Sequence, residues 1–340
     1  MKYTMLLWPH SNVRYQNETM KLAKSELELM LECYAPEAVV TAGEDEKMPA
    51  LTIEMPEKMS EELMRAIGDH SLLYVLFENR EGGMLLPVQG RNTAYVGSDL
   101  PGILKYKGKT NELFLQLLIN AALYAGKFAK YGNQRPMNLL DPMCGRGTTL
   151  FVGANRGWHT TGSDVDKTDL SEAEKFLKRY FEYHRMKHAH KRSSRTVAGA
   201  KPVSVSEFTF ADTPEHFKAD ETCTLRMANA DAAKTREVFG AGKFEMIVCD
   251  LPYGVQHASV GSAPDKLLEK ALPGWRESLK RGGTIAVSFN AQSLKREKVL
   301  ELMEKAGLEA KRGGAYENFS HWVEQAVTRD IAVAVKKEEN

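Results

Sequence analysis

Asp141-Pro142-Met143-Cys144-Gly145-Arg146-Gly147-Thr148 is the stretch on which the fold of this chain turns. A strand is expected to end at Asp141 and a helix to begin at Thr148, with two glycines in the turn between them. Glycine turns sharply and lets the backbone approach a ligand with no Cβ in the way. A carboxylate at the strand end, beside that turn, suits the ammonium of a bound amino acid. A pyrophosphate would meet a helix N-terminus with no acid between them. The spacing also departs from G-x-G-x-x-G, because Leu150 stands three residues after Gly147.

Outward from this turn, strands and helices alternate. The pattern predicts helices at 111–128, 148–156, 171–186, 266–279 and 294–306, and strands at 139–141, 160–164, 222–227, 245–250 and 284–289. Such alternation predicts an α/β, Rossmann-like parallel sheet with helices on both faces. Leu308 to Val335 carries Gly313-Gly314 between two apolar runs and reads as an antiparallel hairpin closing one sheet edge. Acids recur at the strand ends. Asp164 ends the second strand, where nucleotide-binding sheets grip ribose hydroxyls. Asp166 competes for that role, and Asp164 is preferred because it lies nearer the strand end. Asp231 follows the third strand and could accept from an adenine amino group.

Asp250-Leu251-Pro252-Tyr253-Gly254 closes the apolar run from Phe244 to Cys249. Exocyclic amines of nucleobases are poor nucleophiles, because the nitrogen lone pair is delocalised into the ring. Two fixed acceptors on the two N–H bonds favour a pyramidal nitrogen and aim its lone pair, which is catalysis by orientation. The Asp250 carboxylate and the Leu251 carbonyl can supply those acceptors. Tyr253 can stack on a base, and Pro252 stiffens the loop between them. With the glycine turn, this points to methyl transfer from S-adenosylmethionine to a base amine.

Residues 1–97 are expected to form a separate small α+β domain with a β-α-β-β-α-β order, the ferredoxin-like pattern. A turn at Gly43-Glu44-Asp45-Glu46 divides its halves. Residues 98–110 read as a linker, leaving 111–340 for the sheet domain with a basic insertion at about 187–207. Between Glu182 and Glu207 there is no acid but six basic residues, Arg185, Lys187, Lys191, Arg192, Arg195 and Lys201, and the later part reads as a loop that could meet phosphates.

The 340 residues suffice for two cores, and the net charge of +1 restricts any nucleic-acid contact to a local patch. No apolar stretch approaches a membrane span, Met1 to Trp8 is too short for a signal peptide, and no metal-type ligand spacing occurs. The four scattered cysteines fit free thiols in a reducing, cytoplasmic setting.

The two motifs resemble those of class I S-adenosylmethionine-dependent methyltransferases that act on base amino groups. Asp250-Leu251-Pro252-Tyr253 is similar to their (Asp/Asn)-Pro-Pro-(Tyr/Phe) motif. The chain looks most like the RNA guanine-N2 methyltransferases, in particular the tRNA enzymes that modify guanosine at position ten. Tyr106-Lys107-Gly108-Lys109-Thr110-Asn111 and the ferredoxin-like start add to that likeness. The resemblance implies that Asp141, Pro142, Cys144, Gly145, Gly147 and Thr148 hold the methionine end of S-adenosylmethionine, Asp164 its ribose and Asp231 its adenine. Asp250, Leu251, Pro252 and Tyr253 would receive the flipped base, with Asp250 also beside the cofactor.

Two departures stand out. Leu251 replaces the first proline and keeps the carbonyl acceptor while losing stiffness. The N-terminal portion, at about 100 residues, also cannot hold both a ferredoxin-like piece and the THUMP RNA-binding domain of relatives. The basic strip at 185–201 is the candidate to replace part of it. The expected partner is RNA, most readily tRNA. DNA adenine-N6 or cytosine-N4 methylation, a non-catalytic cofactor-binding RNA adaptor and small-molecule methylation are the alternatives.

Overall fold

A computed structural model describes residues 1–8, 13–43, 48–132, 134–197, 202–252 and 263–338. The chain divides into two compact units, Met1–Thr93 with Arg312–Ile331, and Ala94–Lys311 with Ala332–Asn340.

The first unit runs β1 (Lys2–Leu7), α1 (Val13–Tyr34), β2 (Val39–Ala42), β3 (Ala50–Glu54), α2 (Glu61–Gly68), β4 (Leu73–Asn79) and β5 (Leu85–Gly90). This is the expected chain order with one further strand. The sheet order is β2-β3-β1-β4-β5, and every neighbouring pair is antiparallel. Alternation in β1 buries Tyr3, Met5 and Leu7. Ser60 Oγ accepts from Leu63 N at 3.2 Å and so starts α2. Buried His70 and Glu26 join α1 to the chain entering β4: Glu26 accepts from Ser71 N at 2.8 Å, and His70 Nε2 lies 3.0 Å from Ala23 O. Of the turn expected at 43–46, residues 44–46 lie outside the described residues.

The second unit begins with α3 (Leu100–Ile103), α4 (Glu112–Leu123), β6 (Asn138–Asp141), α5 (Thr148–Asn155), β7 (His159–Asp164) and α6 (Lys167–Tyr183). It continues through β8 (His188–Arg195), β9 (Val203–Phe210), α7 (Pro214–Lys218), β10 (Cys223–Asn229), α8 (Thr235–Phe239) and β11 (Phe244–Asp250). The last elements are α9 (Pro264–Ser278), β12 (Leu279–Asn290), α10 (Arg296–Lys305) and β13 (Glu309–Ala310), followed by β14 (His321–Glu324), which the division places in the first unit, and β15 (Val327–Val335), which it splits after Ile331. The large sheet has the order β13-β15-β12-β11-β6-β7-β10-β9-β8, with β14 paired to β15.

β6, β7, β10, β11 and β12 are mutually parallel where they pair. The chain starts this sheet at β6, builds outward through β7 and β10, then returns to the other side of β6 with β11. That reversal is a topological switch point, which opens a crevice at the carboxyl ends of β6 and β11. This is the Rossmann-like sheet expected from the sequence. In the cluster around α9, Ile247, Cys249 and Leu251 pack with Leu268, Leu272 and Trp275. Alternation sends Met246, Val248 and Asp250 to the opposite face, where α4 lies against β11.

Three expectations need correction. Residues 98–110 are not a bare linker: they hold α3, Leu100 is fully buried in the α5–α6 core, and Tyr180 donates to Asp99 at 2.7 Å. The basic insertion, whose later part was expected to be loop, pairs as β8 and β9 over eight antiparallel positions; residues 198–201 of that later part lie outside the described residues. Phe208 and Phe210 on one face of β9, and Val203 and Val205 on the other, supply the burial that orders it. The C-terminal run is also no simple hairpin. β13 is antiparallel to β15 at Glu309↔Val335, but β15 lies between β13 and β12, and residues 312–331, which take in β14 and the start of β15, group with the first unit.

No described helix is long and apolar enough to cross a membrane. Among the described residues, no group of three or more His, Cys, Asp or Glu could hold a metal ion. The four cysteines are free, with Cys144, Cys223 and Cys249 buried.

Candidate active site

Parallel register places three acids together at the switch point. Asp141 lies opposite Gly162 on β7, so Asp164 stands two residues further along that strand. On the other side Leu140 pairs with Ile247, which puts Asp250 two residues beyond the level of Asp141. Asp141 is therefore the floor of the crevice, with one acid rising on each flank by about 7 Å.

The glycine turn after β6 takes a form only glycine accepts readily. Gly145 has φ +49° and Gly147 φ +85°. The turn is fixed by Cys144 N donating to Ser163 O at 3.0 Å and by Gly147 N donating to Cys144 O at 2.7 Å. The Asp164 carboxylate accepts from Gly145 N at 2.8 Å and from Asp166 N at 2.9 Å. Gly162 has a packing role that the sequence reading missed. A Cβ there would sit 2.6 Å from Cys144 Sγ and 2.8 Å from Leu150 Cδ1. No side chain caps α5, whose N-cap is Gly147, so its first amides remain available to an anionic group.

Burial is the main force on Asp141. The side chain is almost wholly enclosed, which pushes its carboxyl up to about 7, opposed by hydrogen bonds from Thr149 and Met143 N and reinforced by Asp164 and Asp250. Burial also raises Asp164. A Cβ at Gly145 would meet nothing nearer than Asp169 Oδ2 at 4.0 Å, and crowded carboxylates beside that open position favour a bound cation. These residues therefore fit the ammonium end of S-adenosylmethionine.

The remaining expected residues divide by what already engages them. Asp166 caps α6 by accepting from Thr168 N at 2.7 Å, and this hydrogen bond leads the lowering of its pKa. Asp164 also accepts two backbone amides, but it is half-buried at the tip of β7 whereas Asp166 is exposed. Asn229 Nδ2 donates to Asp164 O at 2.9 Å and ties the tips of β7 and β10 together. Asp231 accepts from Ala233 N at 2.9 Å and lies 3.5 Å from Lys270 Nζ.

At the tip of β11, Leu251 is buried, and its N–H donates to Ser288 O at 2.9 Å. A proline in that place has no N–H to give. Leucine anchors the loop through a hydrogen bond and a core contact, and so offsets the stiffness lost with proline. Pro252 is half-buried, while Tyr253 and Gly254 lie outside the described residues.

Thr110 is a further member, as its Oγ1 donates to Asp250 Oδ2 at 2.5 Å. Nearby Asn111 caps α4 by accepting from Leu113 N at 2.8 Å. Tyr106 Oη lies 3.3 Å from Thr148 Oγ1, and Arg146 stacks over the Tyr106 ring at 4.8 Å while donating to Asp169 at 2.8 Å. The segment from Tyr106 to Asn111 thus braces both motifs. Its only sequence signal was its likeness to the tRNA enzymes.

The chain is similar in structure to the rRNA methyltransferase AviRa of Streptomyces viridochromogenes, at 19% identity, 70% coverage of this chain, 92% of that chain and a TM-score of 0.38. It is similar also to the magnesium protoporphyrin IX methyltransferase of Synechocystis, at 14% identity, 68% and 90% coverage and a TM-score of 0.40. No curated protein matches the chain by sequence. Residues 118–316 match the family profile described as UPF0020, RMKL-like, methyltransferase domain. That stretch exceeds half of the chain and contains Asp141, Asp164 and Asp250, so the protein belongs to the RMKL-like methyltransferase family.

Proposed function

We propose that the protein transfers a methyl group from S-adenosylmethionine to the exocyclic amine of a base in RNA, with N2 of guanosine in tRNA the expected target. The observation that carries this reading is the placement of Asp250, held by Thr110, beside the buried Asp141 at the switch point. S-adenosylmethionine supplies an electrophilic methyl group on a sulfonium. The chain's own residues bind, orient and move protons around it. Asp141 accepts from the amino-acid ammonium, the glycine turn through Pro142, Cys144, Gly145 and Gly147 gives it space, and the amides beginning at Thr148 meet the carboxylate. Asp164 faces the ribose. Asp231 serves the adenine amine while shared with Lys270.

Asp250 and the Leu251 carbonyl accept the two N–H bonds of the target amine and aim its lone pair. Asp250 then takes the proton that the nitrogen releases. Pro252 limits the freedom of the loop, and Tyr253 stacks on the base. The small N-terminal domain, read as ferredoxin-like, and the basic hairpin are the candidates for holding RNA outside the pocket.

Labelled S-adenosylmethionine offered with unmodified tRNA, bulk RNA and DNA tests this directly. Label on tRNA, recovered as N2-methylguanosine and reduced at least about a hundredfold by Asp250→Ala, is the expected result. Label on DNA alone, or on no nucleic acid with cofactor binding intact, overturns it.

A further inference from the structure

The strand β8 is the outermost strand of the large sheet and pairs only with β9 among the described residues. It is antiparallel to β9, which is antiparallel to β10, so β8 runs in the same direction as β6, β7 and β10. Its C-terminal end therefore reaches the edge of the sheet that carries Asp141, Asp164 and Asn229. Arg195 is opposite Val203, two positions before Val205, which is opposite Ala228 at the tip of β10. Alternation sets Lys187, Lys191 and Arg195 on one face at intervals of about 13 Å. All three are exposed.

The strip is held firmly. His190 stacks on Phe208 at 4.2 Å and lies 2.9 Å from Ser206 Oγ. Lys187 O accepts from Ala211 N, which extends the pairing back to Lys187. Arg195 is braced on Val238 O at 2.6 Å. Glu207, which stands opposite Lys191 on β9, is paired with Arg226, and Glu174 is paired with Arg192. No acid occurs in the sequence from Tyr183 to Ser206. A charged edge strand also prevents sheet-to-sheet association, but that purpose needs no directed row ending at the catalytic edge.

We propose that Lys187, Lys191 and Arg195 form a track for RNA phosphates that leads along β8 to the catalytic edge. This inference rests on the RNA reading of the site. β11 and β8 are five strand spacings apart, on the order of 24 Å, so the track holds RNA outside the nucleotide being modified. It contributes affinity and register, while base recognition stays at β11.

The test compares wild-type protein with Lys187→Ala/Lys191→Ala, two exposed residues away from the pocket. tRNA methylation kinetics and tRNA binding are measured across a range of salt concentrations. The expected result is a rise of roughly tenfold in KM for tRNA near physiological salt. The salt slope should fall by about 1.4 to 1.8, from about 0.7 to 0.9 per lost phosphate contact. The affinity for S-adenosylmethionine and kcat at saturating tRNA should stay unchanged. Unaltered tRNA affinity and salt slope in the variant overturn the track and leave RNA methylation standing. Wild-type protein that methylates no RNA overturns the reading beneath it, and the track with it.

Discussion

Asp141 is a carboxyl enclosed by protein, with other acids beside it and a carboxyl pushed up to about 7. A cationic ligand selects the ionised form. The affinity for S-adenosylmethionine should therefore be level above about pH 7 and fall about tenfold per unit below it. Calorimetric titration at several pH values checks this, and Asp141→Asn should bind weakly with no such slope. Stability follows the opposite course. The folded state holds this proton more tightly than the unfolded chain, whose carboxyl has its ordinary value of 3.8. The stability from it is complete below about pH 4 and lost as the pH rises through about 7. Asp141→Asn should then melt above the wild type at about pH 8 and level with it near pH 4. Leu251 gives a second residue-level prediction. Leu251→Pro, which restores the resemblance motif, removes the bond to Ser288 O and a buried side chain. It should cost about 3 kcal/mol and roughly 5 °C in Tm by scanning calorimetry.

At the scale of elements, β7 and the glycine turn are fitted through a glycine with no unusual backbone angle. Gly162→Ala would drive a Cβ against Cys144 and Leu150, both of which are buried. The expected cost is about 1 to 3 kcal/mol. Displacement of the turn should weaken cofactor binding about tenfold, read from a binding isotherm beside a melting curve. The acids at strand tips were legible because apolar runs ending in Asp recur along the chain. Thr110 was legible only as part of a likeness, since it meets Asp250 across 140 residues. β8 was hidden for another reason. His188 to Arg195 has no apolar alternation of its own, and it becomes a strand because β9 is ordered by burial on both faces.

For the whole molecule, the division into units follows packing more than chain order. Residues 312–331 belong with the N-terminal portion. Lys21 donates to Ser320 O at 3.2 Å, and Ala315, Tyr316 and Phe319 are buried. A fragment of residues 94–340 leaves this segment without α1. Limited trypsin digestion should cut it at Arg312 and Arg329 at least about ten times faster than in the full chain, because local opening governs such cleavage. Equal rates would mean that the segment holds its structure without the first unit.

The sequence alone determined the alternation of elements, the glycine turn and the acids that end the strands. These follow from side-chain periodicity and from backbone conformations open mainly to glycine, both of which act over a few residues. Only the tertiary structure decided that β11 returns beside β6, bringing Asp250 next to Asp141 and within reach of Thr110. It also decided that a basic stretch forms an edge strand, and that 312–331 leaves the second unit for the first. Pairing between distant segments is chosen by which apolar faces bury each other, and that choice has no local signal.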